Sequence, residues 1–176
     1  MTSTSTASDG FYVTIGIGRE VFAVPVAMVL EILPIQEVFR IPDAPAHLDG
    51  LIDVRGRGVA VIDLRTRLGL PRVEPDETTR IVVLDVPLPG RRLAVGLTAD
   101  RVFEVATLDD GRLEPPPDIG TPWAHDHILG VGRHGGGFVA VLDIVRLFTT
   151  DPAMTTAERA MPAAGGLVPP VAAQAA

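Results

Sequence analysis

The side chains that usually act as covalent nucleophiles are nearly absent from this chain. It has 176 residues, no Cys and no Lys, and its three serines all lie within the first eight positions. From residue 9 onward, Thr, His and carboxylate side chains are the only groups left for such chemistry. The sequence therefore argues against Ser and Cys hydrolases, thiol redox enzymes and Schiff-base enzymes.

Two histidines have the spacing of a metal-binding segment. His125 and His127 would lie on one side of an extended segment, with Asp126 between them. A polar run of this kind is equally typical of an exposed loop. A small histidine-dependent metalloenzyme is therefore the alternative that this segment leaves open, whereas our main interpretation assigns no metal, no cofactor and no catalytic residue.

Residues 130–135 fit the G-x-G-x-x-G pattern of dinucleotide-binding loops. Such a loop needs a helix after it, because the helix N-terminus binds the pyrophosphate. The run that follows, 138–144, is β-like, and residues 53–58 precede a similar run. The pattern therefore predicts two glycine hairpins and not a phosphate site.

Arg55 is the cation we single out for binding. A planar guanidinium binds a carboxylate through two parallel hydrogen bonds with little loss of entropy. Glu31 has apolar neighbours on both sides and is the natural internal partner. Two alternatives stay open: an internal ion pair between Glu31 and Arg55, or a contact from Arg55 to a carboxylate of another protein.

Asp63 and Asp143 look like paired carboxylates, but their context favours a structural role. Each ends a V-A-V-[IL]-D run and precedes a short helical segment. An Asp at that position accepts hydrogen bonds from the first free N–H groups of the helix. We expect each to cap its own helical turn.

Charge and composition restrict the class of partner. The chain is 47% hydrophobic with a net charge of −7, so it can bury a core but lacks the basic surface that nucleic acid or an anionic membrane requires. Residues 1–10 lack the features of a signal peptide, and residues 149–176 are rich in Ala and Pro. We therefore expect a cytoplasmic protein that binds no nucleic acid and does not insert into the membrane.

Short runs rich in Val and Ile, most of them bounded by Gly or Pro, dominate the body of the chain. No helical pattern exceeds two turns, and short helical segments are predicted at 44–48, 63–68 and 143–148. The fold class is therefore all-β. The predicted strands are 12–17, 21–26, 30–33, 59–64, 81–86, 93–97, 102–108 and 138–144.

An internal repeat groups these runs. Residues 50–64 align without gaps on 130–144, and upstream 22–26 matches 93–97 and 29–32 matches 102–105. Two copies of one β unit would pack on a shared hydrophobic seam. The predicted organisation is a disordered arm (1–10), lobe one (about 11–70), a linker (71–79), lobe two (about 80–148) and a flexible tail (149–176). Exchange of terminal strands between the lobes stays open.

Six blocks of the sequence follow one another in a fixed order: 22–32, 41–56, 59–65, 96–105, 114–117 and 130–144. Together they resemble the CheW-like family of chemotaxis coupling domains. The resemblance implies two pseudo-repeated SH3-like five-stranded β-barrels with short helical turns. It also implies a non-catalytic adaptor between methyl-accepting chemoreceptors and the regulatory domain of the histidine kinase CheA. The same module in a CheA-like pathway for pilus motility, development or second-messenger control is the alternative.

The resemblance also implies a groove between the lobes that binds the cytoplasmic tip of a receptor. Its residues in this chain are Val29, Glu31, Arg55 and Gly56, together with Val105 from the second lobe. The family commonly has Asn where this chain has Asp53. We expect this additional carboxylate near Arg55 to affect recognition of an acidic partner.

Overall fold

The structure, a computed structural model, describes residues 10–116 and 127–150. Within these residues the chain forms ten strands, two short α-helices and one turn of 3-10 helix, Val26–Met28. The strands are β1 (Phe11–Ile17), β2 (Glu20–Pro25), β3 (Val29–Pro34), β4 (Leu48–Val54), β5 (Arg57–Asp63), β6 (Arg80–Leu88), β7 (Arg91–Ala99), β8 (Arg101–Thr107), β9 (Ile128–His134) and β10 (Gly137–Leu142), and the helices are α1 (Leu64–Arg67) and α2 (Ile144–Thr149).

The strands form two five-stranded sheets. The first has the order β8-β1-β2-β10-β9, and we call it the split sheet because its strands come from both ends of the described chain. The second has the order β3-β6-β7-β5-β4, and we call it the continuous sheet because it uses the five consecutive strands β3 to β7. Two five-stranded units with short helical turns confirm the predicted all-β fold class.

The two sheets have equivalent strand orders, but they do not follow the predicted lobe boundaries. Each sheet takes the first hairpin of one repeat and the last three strands of the other. Parallel ladders join the exchanged parts: β2 pairs with β10, where Phe22 is opposite Ala140, and β7 pairs with β5, where Val95 is opposite Ala60. The predicted division into 11–70 and 80–148 is therefore corrected to the exchanged arrangement. Residues 71–79 connect α1 to β6 within the continuous sheet.

The main hydrophobic core lies between the sheets and includes residues of both. Alternate residues of β1 show how the strand serves two cores: Val13, Ile15 and Ile17 belong to the shared core, while Tyr12 belongs to a smaller cluster within the split sheet. A third cluster lies within the continuous sheet and includes Ile81. Because β1 and β6 are buried on both faces, they read in the sequence as nearly unbroken apolar runs.

The two helices are short, and each begins at a capping aspartate. The Asp63 carboxylate accepts a hydrogen bond from the Arg65 N–H at 3.2 Å, and the Asp143 carboxylate accepts one from the Arg146 N–H at 3.0 Å. The predicted caps are therefore confirmed. The helical segment predicted at 44–48 is wrong: one turn bond from the Leu48 N–H to the carbonyl of residue 45 precedes β4 directly.

Strands β4 and β9 were absent from the predicted runs, because Gly, Asp and His interrupt their apolar residues. Helix α2 extends to Thr149, so the folded part includes the first residue of the predicted tail. The rest of that tail, and residues 1–9 of the predicted arm, lie outside the described residues. Within the described ranges, no helix has the length and hydropathy needed to span a membrane.

Candidate partner-binding site

An ion pair joins the two edges of the continuous sheet. Glu31 lies on β3 at one edge, and Arg55 lies in the turn that follows β4 at the other edge. The Glu31 Oε2 to Arg55 Nη2 distance is 3.0 Å. A sheet whose first and last strands meet in this way is curled into a barrel, and this pair lies where the barrel closes. The internal ion pair, one of the two alternatives from the sequence, is therefore formed.

The turn that holds Arg55 is a two-residue hairpin loop between β4 and β5. Val54 pairs with Arg57 across it, and the two central residues both have positive φ, 54° at Arg55 and 80° at Gly56. Two positive φ values define a turn whose twist matches that of the flanking strands, and Asn-Gly is its usual sequence. An Arg in the left-handed region is unfavourable by about 1 kcal/mol or more, which indicates that a property other than turn stability favours Arg here.

Asp53 has a structural role in the same turn. Its Oδ1 accepts a hydrogen bond from the Gly56 N–H at 2.7 Å, so the carboxylate stabilises the tight loop from inside. Asn offers the same acceptor, since its side-chain carbonyl oxygen lies in the same place. The turn therefore uses an acceptor that Asp and Asn share, and the effect of the additional charge on recognition of a partner stays a prediction.

The two side chains of the ion pair differ in solvent exposure. The Arg55 side chain is 84% exposed and the Glu31 side chain is 23% exposed. A pair this open contributes at most about 1 kcal/mol to stability. The guanidinium is oriented by Glu31 while most of its surface stays accessible, so a carboxylate of another molecule can still bind to it.

The remaining predicted site residues differ in position. Val29 is half-buried on β3 and packs against the shared core, and Gly56 is exposed in the turn beside Arg55. Val105 is 59% exposed on β8, an edge strand of the split sheet. The structure therefore brings Glu31, Arg55 and Gly56 together, while Val105 lies on the equivalent edge of the other barrel.

Of four large apolar residues that are exposed on the edge strands β3 and β8, sequence reasoning identified Val105 and missed the other three. Leu30 and Ile32 on β3 are exposed, as are Phe103 and Val105 on β8. When residues 29–32 are aligned with 102–105, Leu30 corresponds to Phe103 and Ile32 to Val105. The repeat therefore already contained the equivalence of these apolar pairs. Each barrel therefore presents an apolar pair on its edge strand, which is typical of surfaces that bind other proteins.

The glycine pattern at 130–135 has a structural explanation. Gly135 and Gly136 form a turn between β9 and β10 with φ values of 57° and 80°, the same conformation as Arg55 and Gly56. Gly130 and Gly132 lie under neighbouring segments: a Cβ on Gly130 would be 2.9 Å from the carbonyl oxygen of Glu114. The hairpins predicted in place of phosphate loops are present at both positions.

The metal alternative receives no support from the described residues. His125 and Asp126 lie outside them. His127 is buried, with its Nε2 3.0 Å from Nη1 of Arg67. Within 10–116 and 127–150, no group of three or more His, Asp or Glu side chains is arranged to hold a metal ion.

Comparison with known proteins decides the family. The family model described as the CheW-like domain matches residues 12–151. The chain belongs to the CheW-like family. It is 30% identical over 135 residues to the chemotaxis protein CheW of Klebsiella aerogenes, covering 77% of this chain and 79% of that protein. It is 29% identical over 138 residues to CheW of Treponema pallidum, covering 78% and 81%.

The fold of the CheW-like domain also matches a solved structure. The crystal structure of the scaffolding protein TtCheW from Thermoanaerobacter tengcongensis has a TM-score of 0.71 to this chain, with 24% identity, and the match covers 82% of this chain and 94% of the other. The CheW-like family consists of non-catalytic adaptors of chemotaxis signalling. The absence of Ser, Cys and Lys from the folded body agrees with that role.

Proposed function

We propose that this CheW-like chain couples methyl-accepting chemoreceptors to a CheA-type histidine kinase. In this proposal the cytoplasmic tip of a receptor contacts the residues around Arg55, and the regulatory domain of the kinase binds elsewhere on the chain. The protein acts in the cytoplasm at arrays of membrane-anchored receptors and reaches the membrane through its partners. The two curated CheW relatives, both chemotaxis proteins, support this reading.

The exposed ion pair carries the proposal for the receptor site. Arg55 is oriented by Glu31 yet remains largely open to solvent, and the turn accepts an unfavourable φ to place it there. Leu30 and Ile32 on the same strand as Glu31 supply exposed apolar surface. A helix that docks on another protein uses apolar anchors, and charged residues beside them fix its register. Val29 and Gly56 of the continuous sheet also belong to the proposed groove, and Val105 is its proposed contribution from the edge of the split sheet.

Binding of receptor fragments to charge variants tests the site. The measurement is calorimetric titration of the full chain with a chemoreceptor cytoplasmic fragment. We expect Arg55→Ala and Glu31→Ala each to weaken binding at least about tenfold, which corresponds to about 1.4 kcal/mol.

Arg92→Ala is the matched control. Arg92 also pairs with a half-exposed carboxylate, Asp85, with Nη2 and Oδ2 2.7 Å apart, but it lies on the β6–β7 hairpin outside the proposed groove. We expect its affinity to stay within about twofold of the original. If Arg92→Ala weakens binding as much as Arg55→Ala does, the attraction is a general charge effect and the site is wrong. If the unaltered chain binds neither the receptor fragment nor the CheA regulatory domain, the proposed function is wrong.

A further inference from the structure

The split sheet is closed by a second acid–cation contact that is equivalent to the first. The repeat aligns Glu31 with Glu104 on β8, and it aligns Arg55 with Gly135, one residue after His134. His134 ends β9, and its Nε2 is 3.1 Å from the Glu104 Oε1. Strands β8 and β9 are the two edges of the split sheet. A titratable imidazole therefore closes one barrel where a permanently charged guanidinium closes the other.

The partners of the imidazole determine its protonation state. Nε2 faces the Glu104 carboxylate, and Nδ1 lies 3.0 Å from the carbonyl oxygen of Thr107. Both partners are hydrogen-bond acceptors, whereas a neutral imidazole has a single N–H to donate. Only the imidazolium form donates to both. Asp109 adds a second carboxylate, whose Oδ1 is 3.8 Å from Nδ1.

The surrounding charges favour the same form. The hydrogen bond to Glu104 raises the pKa of His134 above its ordinary value, against a smaller lowering from desolvation, and the Thr107 carbonyl and the Asp109 charge raise it further. Arg133, the neighbouring cation, lies with its guanidinium over the Phe138 ring, 4.4 Å from the centroid. The groups that face His134 are thus two carboxylates and a carbonyl oxygen.

We propose that His134 is a proton-dependent positioning residue, which as an imidazolium holds the end of β8 against the β9–β10 hairpin through two hydrogen bonds and keeps one of them when deprotonated. Glu104 and Thr107 are both on β8, the strand that presents Phe103 and Val105 to solvent. The backbone bond from the Asp109 N–H to the Arg133 carbonyl at 2.8 Å does not depend on this proton, so the barrel stays folded while the edge strand changes position.

The direction of the pH effect follows from the raised pKa. The unfolded chain has an ordinary histidine pKa of about 6.5. The stabilising contact is therefore fully present below that pH, and it is lost as the pH rises through the higher pKa of the folded protein. The position of β8 changes in the same window.

NMR titration of the full chain between about pH 5.5 and 9 tests the proposal. The histidine ring Cε1–H signals report the pKa of His134, and backbone amides report the strands. We expect a His134 midpoint above about 6.5, with the amides of Val105 and Gly135 moving at that same midpoint. Glu104→Gln should lower the midpoint, because it removes the carboxylate whose hydrogen bond raises the pKa of His134.

Controls separate this effect from a general charge effect. Glu20→Gln removes an exposed carboxylate from the same sheet and should leave the His134 midpoint in place. In His134→Gln the amide transition should disappear while the rest of the spectrum is retained. A His134 midpoint at or below about 6.5, or one that Glu104→Gln does not move, overturns the proposal.

The positioning role of His134 and its NMR test do not depend on the proposed function. If the amides titrate and no receptor fragment binds at any pH, the positioning role stands and the proposed function fails. If the fragment binds and the amides of β8 do not titrate with His134, the positioning role fails and the proposed function stands.

Discussion

Asp100 and Arg65 are joined across the boundary between the two barrels, with Oδ2 and Nη1 2.5 Å apart. Arg65 lies on α1, which follows β5 of the continuous sheet, and the same Oδ2 accepts a hydrogen bond from the Gly18 N–H at 2.6 Å in the first turn of the split sheet. One carboxylate between β7 and β8 therefore holds a helix of one barrel to a hairpin of the other.

We expect Asp100→Ala to lower the free energy of unfolding by about 1 to 3 kcal/mol, because it removes two charge-assisted hydrogen bonds and leaves a partly buried guanidinium without its carboxylate. Urea denaturation measures this change. Asp85→Ala is the control, since its pair with Arg92 is more exposed and should contribute less to stability than the Asp100 contacts do. Equal effects of the two variants would show that Asp100 does not link the barrels.

At position 55, Gly would favour the stability of the turn, whereas Arg favours binding of a partner. Gly accepts the positive φ at this position without strain, as Gly135 does in the other hairpin, whereas Ala keeps the strain and loses the ion pair. We expect Arg55→Gly to be about 1 kcal/mol more stable than Arg55→Ala, measured by thermal and urea unfolding. Both variants should lose receptor binding to the same extent. If Arg55→Ala matches Arg55→Gly in stability, the strained turn has no energetic consequence.

The two capping aspartates should differ in their contribution to stability. Asp63 is buried, and its second oxygen also accepts a hydrogen bond from the Thr66 hydroxyl at 2.6 Å. Asp143 is less buried, and among the described residues its carboxylate accepts a hydrogen bond from the Arg146 N–H. We expect Asp143→Ala to cost about 1 kcal/mol and Asp63→Ala about 2 kcal/mol by urea unfolding. A larger loss at Asp143 would contradict this order.

Gly50 and Gly130 are equivalent in the repeat, and both lie beneath a backbone bridge: Phe39 with Leu51 in one barrel and Glu114 with Val131 in the other. A Cβ on Gly50 would lie 2.1 Å from the carbonyl oxygen of Phe39, and its φ is 140°. We expect Gly50→Ala to cost at least about 3 kcal/mol and Gly130→Ala about 1 to 2 kcal/mol. Circular dichroism during urea unfolding measures both, and a tolerated Gly50→Ala would contradict the close approach.

The sequence was sufficient for those parts of the fold that depend on local pattern. The unbroken apolar runs of β1 and β6 predicted strands because both faces of those strands are buried. The caps at Asp63 and Asp143 were predictable, since a cap involves residues only a few positions apart. The contact between Glu31 and Arg55 was proposed because the candidate carboxylate stood in an apolar strand.

Parts that depend on long-range pairing were not accessible in the same way. The repeat gave the order of its blocks but not which copy of each hairpin pairs with which, because a parallel ladder between β2 and β10 leaves no local signature. Strands β4 and β9 were missed because one face of each is partly open to solvent. The repeat aligns Glu104 with Glu31, but it aligns Arg55 with Gly135. The contact of Glu104 with His134 was not predicted because His134 lies one position before that glycine.

Along the chain, the strands of the continuous sheet lie between the two parts of the split sheet, and this order has a consequence for synthesis. All of the continuous sheet is synthesised before β8, β9 and β10, so the hairpin β1–β2 still lacks its partners when the five strands of that sheet have been made. At ordinary translation rates that hairpin waits on the order of ten seconds for β10. During this time Val13, Ile15 and Ile17 present an unpaired apolar face to chaperones and to other nascent chains. A second copy that supplies its own β10 first would produce a domain-swapped dimer.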